Sequence, residues 1–126
     1  MTNELRDRKT AQTAAVNLAT YTVGGSDASY MVSANVLVTT ATVHAFTVTC
    51  SYTDEGNTAR VLTLQFSSLA GAMVTSIANA AGAVPYEGVP MHIRCKAGTT
   101  IIIGAAASGT YTTCVFNLEE RIVLLN

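Results

Sequence analysis

From Leu18 onward the chain alternates apolar and polar positions with a period of two, the pattern of strands buried on one face. Leu18 to Val23 reads as a first short strand, closed by the turn formers Gly24-Gly25-Ser26-Asp27. Tyr30, Val32, Ala34, Val36 and Val38 then share one face, with Ser29, Ser33 and Asn35 on the other. In the next strand His44, Phe46, Val48, Cys50 and Tyr52 line one face, and Thr47, Thr49 and Ser51 the opposite one. Asp54-Glu55-Gly56-Asn57 predicts a hairpin turn in which Gly56 and Asn57 supply positive φ. The return strand sets Arg60, Leu62, Leu64 and Phe66 against Ala59, Thr63 and Gln65.

The middle of the chain mixes signals. Leu69, Met73 and Ile77 recur at helical spacing, but Gly71 interrupts them and Val74, Thr75 and Ile77 favour strand. The reading is a short strand over 72–77 and then a loop through Ala80-Ala81-Gly82 to Pro85. After Pro90, Met91, Ile93 and Cys95 alternate with His92, Arg94 and Lys96, and Ala97-Gly98 turns the chain into Thr99–Ala105. Ser108-Gly109 turns it again into Tyr111–Asn117, and Ile122–Leu125 closes it. About eight strands with short turns predict an all-β fold, an antiparallel β-sandwich of jelly-roll type.

Charge changes the picture at one end. Five of the fifteen charged residues, Glu4, Arg6, Asp7, Arg8 and Lys9, fall in the first nine positions. Residues 1–18 therefore read as an N-terminal arm outside the sheet, and 19–126 as one jelly-roll domain. The whole chain is 49% apolar and 12% charged, which argues against disorder and leaves few charges to coat a solitary monomer. An oligomer is expected. With a net charge of −1 and scattered basic residues, no field gathers nucleic acid or anionic lipid. No apolar stretch reaches the roughly 18 residues of a membrane-spanning helix. The charged N-terminus is unlike a signal peptide, so synthesis and assembly in a cytoplasm are expected.

Chemical candidates are sparse. Cys50, Cys95 and Cys114 are odd in number, widely spaced and set among apolar neighbours, so they read as reduced, buried thiols. His44 and His92 lack ligand spacing, apart from Cys95 three residues after His92, so no metal site is expected. No Gly-x-Ser-x-Gly elbow, P-loop or Gly-x-Gly-x-x-Gly occurs, and no catalytic residue or cofactor is nominated. Glu119-Glu120 reads as the exposed, ion-paired end of a strand, because adjacent strand residues point to opposite faces. The acidic loop at 54–57 lacks the alternating ligand spacing of a calcium-binding EF-hand loop. Tyr21, Tyr30, Tyr52, Tyr86 and Tyr111 read as cross-strand packers, with a sugar-stacking platform as the alternative use.

Three stretches carry a family resemblance. Tyr30–Val38 resembles the opening strand of the small trimeric jelly-roll modules of bacteriophage virions, which are similar in layout to the C1q and tumour-necrosis-factor jelly rolls. Val48–Gly56 resembles their strand ending in an acidic-glycine turn. Met91–Ile101, then Gly109-Thr110-Tyr111 and Val115–Glu119, resemble their strand, Gly-Thr turn, isoleucine strand and closing strand. The resemblance covers residues 20–126 and implies a non-enzymatic homotrimer: a capsid decoration or head-fibre protein on the virion surface, bound to the major capsid protein. The absence of a collagen-like or coiled-coil stalk favours a compact decoration or knob. The runner-up is a tail-appendage knob that binds a host surface glycan or receptor. In the decoration reading, Arg6, Arg8 and Lys9 on the arm dock on the capsid.

Overall fold

The computed structural model describes residues 4–12, 17–40, 46–67, 73–75, 77, 84–107 and 115–125, and among them no helix occurs. The strands are β1 (Glu4–Gln12), β2 (Asn17–Thr22), β3 (Ala28–Thr40), β4 (Phe46–Thr53), β5 (Ala59–Thr63) and β6 (Phe66–Ser67). They continue with β7 (Met73–Val74), β8 (Val84–Gly88), β9 (Met91–Cys95), β10 (Thr100–Ala107) and β11 (Val115–Leu124). All their pairings are antiparallel.

Two sheets form. One runs β1-β11-β3-β8-β6-β7, with β9 also on β3, and the other runs β2-β10-β4-β5. β8 pairs with Val36–Val38 and β9 with Ala28–Val32, so the two lie end to end along one side of β3. Val89-Pro90 interrupts them. Counted as one strand, with the two-residue β6 and β7 set aside, they complete an eight-strand order. That order is 1-8-3-6 in one sheet and 2-7-4-5 in the other. This is the double-Greek-key order of a jelly roll.

The core lies between the sheets. On β3, Tyr30, Val32, Ala34 and Val36 are buried while Asn35 and Leu37, alternating with Ala34 and Val36, face out, as the sequence alternation requires. From the other sheet Val48 and Cys50 on β4 and Ile101, Ile103 and Ala105 on β10 close on them. Tyr21 meets Tyr30 edge to face at 5.5 Å between ring centroids. Cys50 and Cys95 are free and buried. Cys114, His44 and Tyr111 lie outside the described residues.

Several expectations are corrected. The charged N-terminal segment is not an arm outside the sheet: Glu4–Gln12 is its edge strand, paired with β11 from Glu4↔Val123 to Gln12↔Phe116. An edge strand tolerates charge because only one side of it must pair and one face is wet. The return strand of the hairpin does not run through to Phe66. β5 ends at Thr63, the Leu64 amide still donates to Val48 O of β4 at 2.8 Å, and Phe66 begins β6 in the other sheet; Leu64 and Phe66 are both fully buried. The end of the expected loop, Val84-Pro85, opens strand β8 (Val84–Gly88), with Pro85 opposite Leu37. Asn57 alone carries the turn's positive φ, at 64°, while Gly56 does not. Residues 115–124 form one strand, so Glu119-Glu120 sits in its middle, Glu119 half-buried and Glu120 with 0% exposure.

Candidate functional surfaces

One end of the sandwich is a locked cluster of turns. The β4–β5 hairpin closes through Asn57 N–H donating to Asp54 O at 2.9 Å. The Thr58 amide donates to Asp54 Oδ1 at 2.9 Å, and Arg60 Nε donates to Asp54 Oδ2 at 2.7 Å. The Arg60 guanidinium, and after it the Thr58 amide, hold the Asp54 carboxyl below the usual carboxylate range. Arg94 Nε donates across the sheets to Glu55 Oε2 at 2.5 Å, and Arg94 Nη1 donates within its own sheet to Ser29 Oγ, its register partner on β3, at 3.1 Å. The Ala97 amide donates to Asp27 Oδ1 at 2.8 Å and the Lys96 amide to Thr53 O at 3.0 Å. Asp54 and Arg60 brace the hairpin itself, while Glu55 with Arg94 and Asp27 with the Ala97 amide tie neighbouring segments together. The acidic turn therefore serves as a clasp.

The outer faces of the two sheets differ in charge. On the four-stranded sheet the outward positions are Thr20 and Thr22, Thr100, Ile102 and Gly104, Thr47, Thr49, Ser51 and Thr53, and Ala59, Val61 and Thr63. None is charged, and Val61 on the open edge strand is 71% exposed. On the other sheet the outward residues include Glu87, His92, Arg94, Glu119 and Arg121.

That charged face holds a hollow of about 320 Å³ where β3, β8 and β11 run side by side. Its apolar part is Leu37 and Pro85, which are register partners, and its polar part is Asn35, Glu87, Asn117 and Glu119. Asn35 is fixed by the Gly88 amide, which donates to its Oδ1 at 2.8 Å. Asn117 stands opposite Leu37, and Glu119 opposite Asn35. Sequence reasoning missed this hollow, since its residues come from three strands that only pairing brings together. Tyr86 lines it but is 8% exposed, and Tyr30 is 2% exposed, so neither offers a ring face to solvent.

Arg6, Arg8 and Lys9, nominated for docking, lie on β1 in register with Arg121, Glu119 and Leu118. Burial pushes the Cys50 thiol up to about 12 and the Cys95 thiol up to about 11. Among the described residues no group of three or more His, Cys, Asp and Glu is placed to hold a metal ion.

No protein-family model matches the chain, and no curated protein matches it. Among solved structures it is similar to the crystal structure of the SPBc2 prophage-derived protein YomS. The identity is 12% and the TM-score 0.35, over 86% of this chain and 96% of that one.

Proposed function

We propose that this chain is a non-enzymatic structural protein of a phage virion, a homotrimeric capsid decoration or head-fibre protein attached to the capsid surface. The strand order supports the likeness to trimeric jelly-roll modules on which the reading rests. The observation that carries the assembly is the outer face of the four-stranded sheet, where none of the described outward positions is charged. The buried centres of protein interfaces are depleted in charge, and covering this face desolvates no ionised side chain, the costliest kind of group to bury. Partners are further copies of the chain and the major capsid protein, with Arg6, Arg8 and Lys9 on the edge strand as docking contacts. Assembly takes place in the host cytoplasm.

Native mass spectrometry at micromolar concentration is expected to give three times the 13.1 kDa chain mass. Thr49→Lys, a charge at the centre of the uncharged face, is expected to shift the trimer to monomer without unfolding it. Purified protein is expected to rebind particles that lack it. A stable monomer, or failure to bind such particles, overturns this reading. The hollow on the opposite face is the observation that favours the second reading, a knob that binds a host glycan.

A further inference from the structure

We infer that the hollow between β3, β8 and β11 is a binding site for a neutral sugar, of the size of one or two pyranose rings. At about 320 Å³ it lies at the small end of the roughly 300–1,000 Å³ range of clefts that hold small ligands. Its chemistry selects among ligand classes by what it offers and what it lacks.

The described lining contains Glu87 and Glu119 but no Lys, Arg or His, so phosphates, nucleic acid and acidic sugars find no cation in it to pair with. β3 is paired on both sides at this level, to β8 and to β11, so no strand edge is open for an added peptide strand. A purely apolar ligand finds too little floor, since Leu37 and Pro85 are bordered by carboxamides and carboxylates. Carboxylates accept from neighbouring hydroxyls, a carboxamide NH2 donates, and a small apolar patch suits the C–H face of a pyranose. The Gly88 amide occupies Asn35 Oδ1, which fixes the carboxamide and leaves its NH2 as a donor. A neutral polyhydroxyl ligand fits this set.

The site rests on its own geometry, and its failure leaves the trimer reading untouched. Saturation-transfer NMR on the full chain tests it with methyl glycosides of galactose, mannose and N-acetylglucosamine, and with that of N-acetylneuraminic acid as the anionic comparison. Transfer to at least one neutral glycoside and none to the anionic one is expected. Glu87→Ala and Leu37→Ser, both at exposed positions, are each expected to weaken binding by about tenfold or more. His92→Ala, on the same face but outside the hollow, is expected to leave it unchanged. The proposal is overturned if no neutral glycoside receives transfer, if the anionic one receives as much, or if His92→Ala weakens binding as much as the hollow variants do.

Discussion

Gly88 packs directly on the backbone of Ala34: a Cβ placed on Gly88 would stand 2.8 Å from the Ala34 amide nitrogen and carbonyl carbon, and closer still to the carbonyl oxygen. The approach occurs where the strand beside β3 breaks between β8 and β9, and there the Gly88 amide reaches Asn35 Oδ1. A glycine is required because backbone, not a movable side chain, occupies the space.

Gly88→Ala is therefore expected to lower stability by about 1–3 kcal/mol through overpacking, read as a lower Tm. Gly25→Ala is the comparison. Nothing lies within 4 Å of a Cβ there and its φ is not positive, so its Tm is expected to stay close to that of the parent. Equal Tm values for the two variants would refute the close-approach account.

Removing β1 is expected to destabilise the sandwich. β1 covers one side of β11, the strand that carries fully buried Glu120 and Ile122, through a register that runs from Glu4 to Gln12. Deleting residues 2–12 leaves that side of β11 without partners and opens a sheet edge. A Tm drop of more than about 5 °C is expected, with larger particles in light scattering. A truncated chain that melts with the parent would show that β1 adds nothing to the fold.

The parts legible from sequence were those where one face is buried and the other wet. Tyr30, Val32, Ala34 and Val36 announce β3, and Ile101 and Ile103 announce β10, because burial selects every second residue. β1 was illegible for the opposite reason: an edge strand has no such selection, and its charges imitate a solvated tail. Glu120 broke the apolar alternation of β11 and so split one strand into two in the reading. Phe66 keeps the spacing of β5 although the chain changes sheets between Leu64, still bonded to Val48 of β4, and Phe66. The hollow could not be read locally, since Asn35, Pro85 and Asn117 are brought together only by two separate strand pairings.

Acid is expected to loosen the clasp at the turn end. Arg60 and the Thr58 amide lower the Asp54 pKa from its ordinary 3.8. A carboxyl with a depressed folded-state pKa contributes stability at pH values above its unfolded pKa, and that contribution is lost as pH falls through the lower folded value. Tm is thus expected to decline below about pH 4. Asp54→Asn is expected to lower Tm at neutral pH and to flatten this acid limb, since it removes the titrating group and the Arg60 pair together. An unchanged acid limb in Asp54→Asn would assign the decline to other carboxyls.

Alkali acts on the buried thiols in the opposite sense. Burial raises Cys50 from 9.0 to about 12 and Cys95 from 9.0 to about 11, so the native state holds these protons after the unfolded chain has released them. Proton binding to the native state then exceeds that of the unfolded state, and stability falls as pH rises from about 9 toward the folded values. Tyr30, raised from 10.0 to about 12, adds to the loss only at the upper end. The decline between pH 9 and 10 is therefore expected to come from the thiols, and Cys95→Ala to shrink it, although that variant starts from a lower Tm. Thiol titration at pH 8 is expected to leave Cys50 and Cys95 unreacted in the native protein and to return all three cysteines of the chain in denaturant. Rapid native labelling of Cys50 or Cys95 would mean that the core opens at this position far more readily than its packing implies.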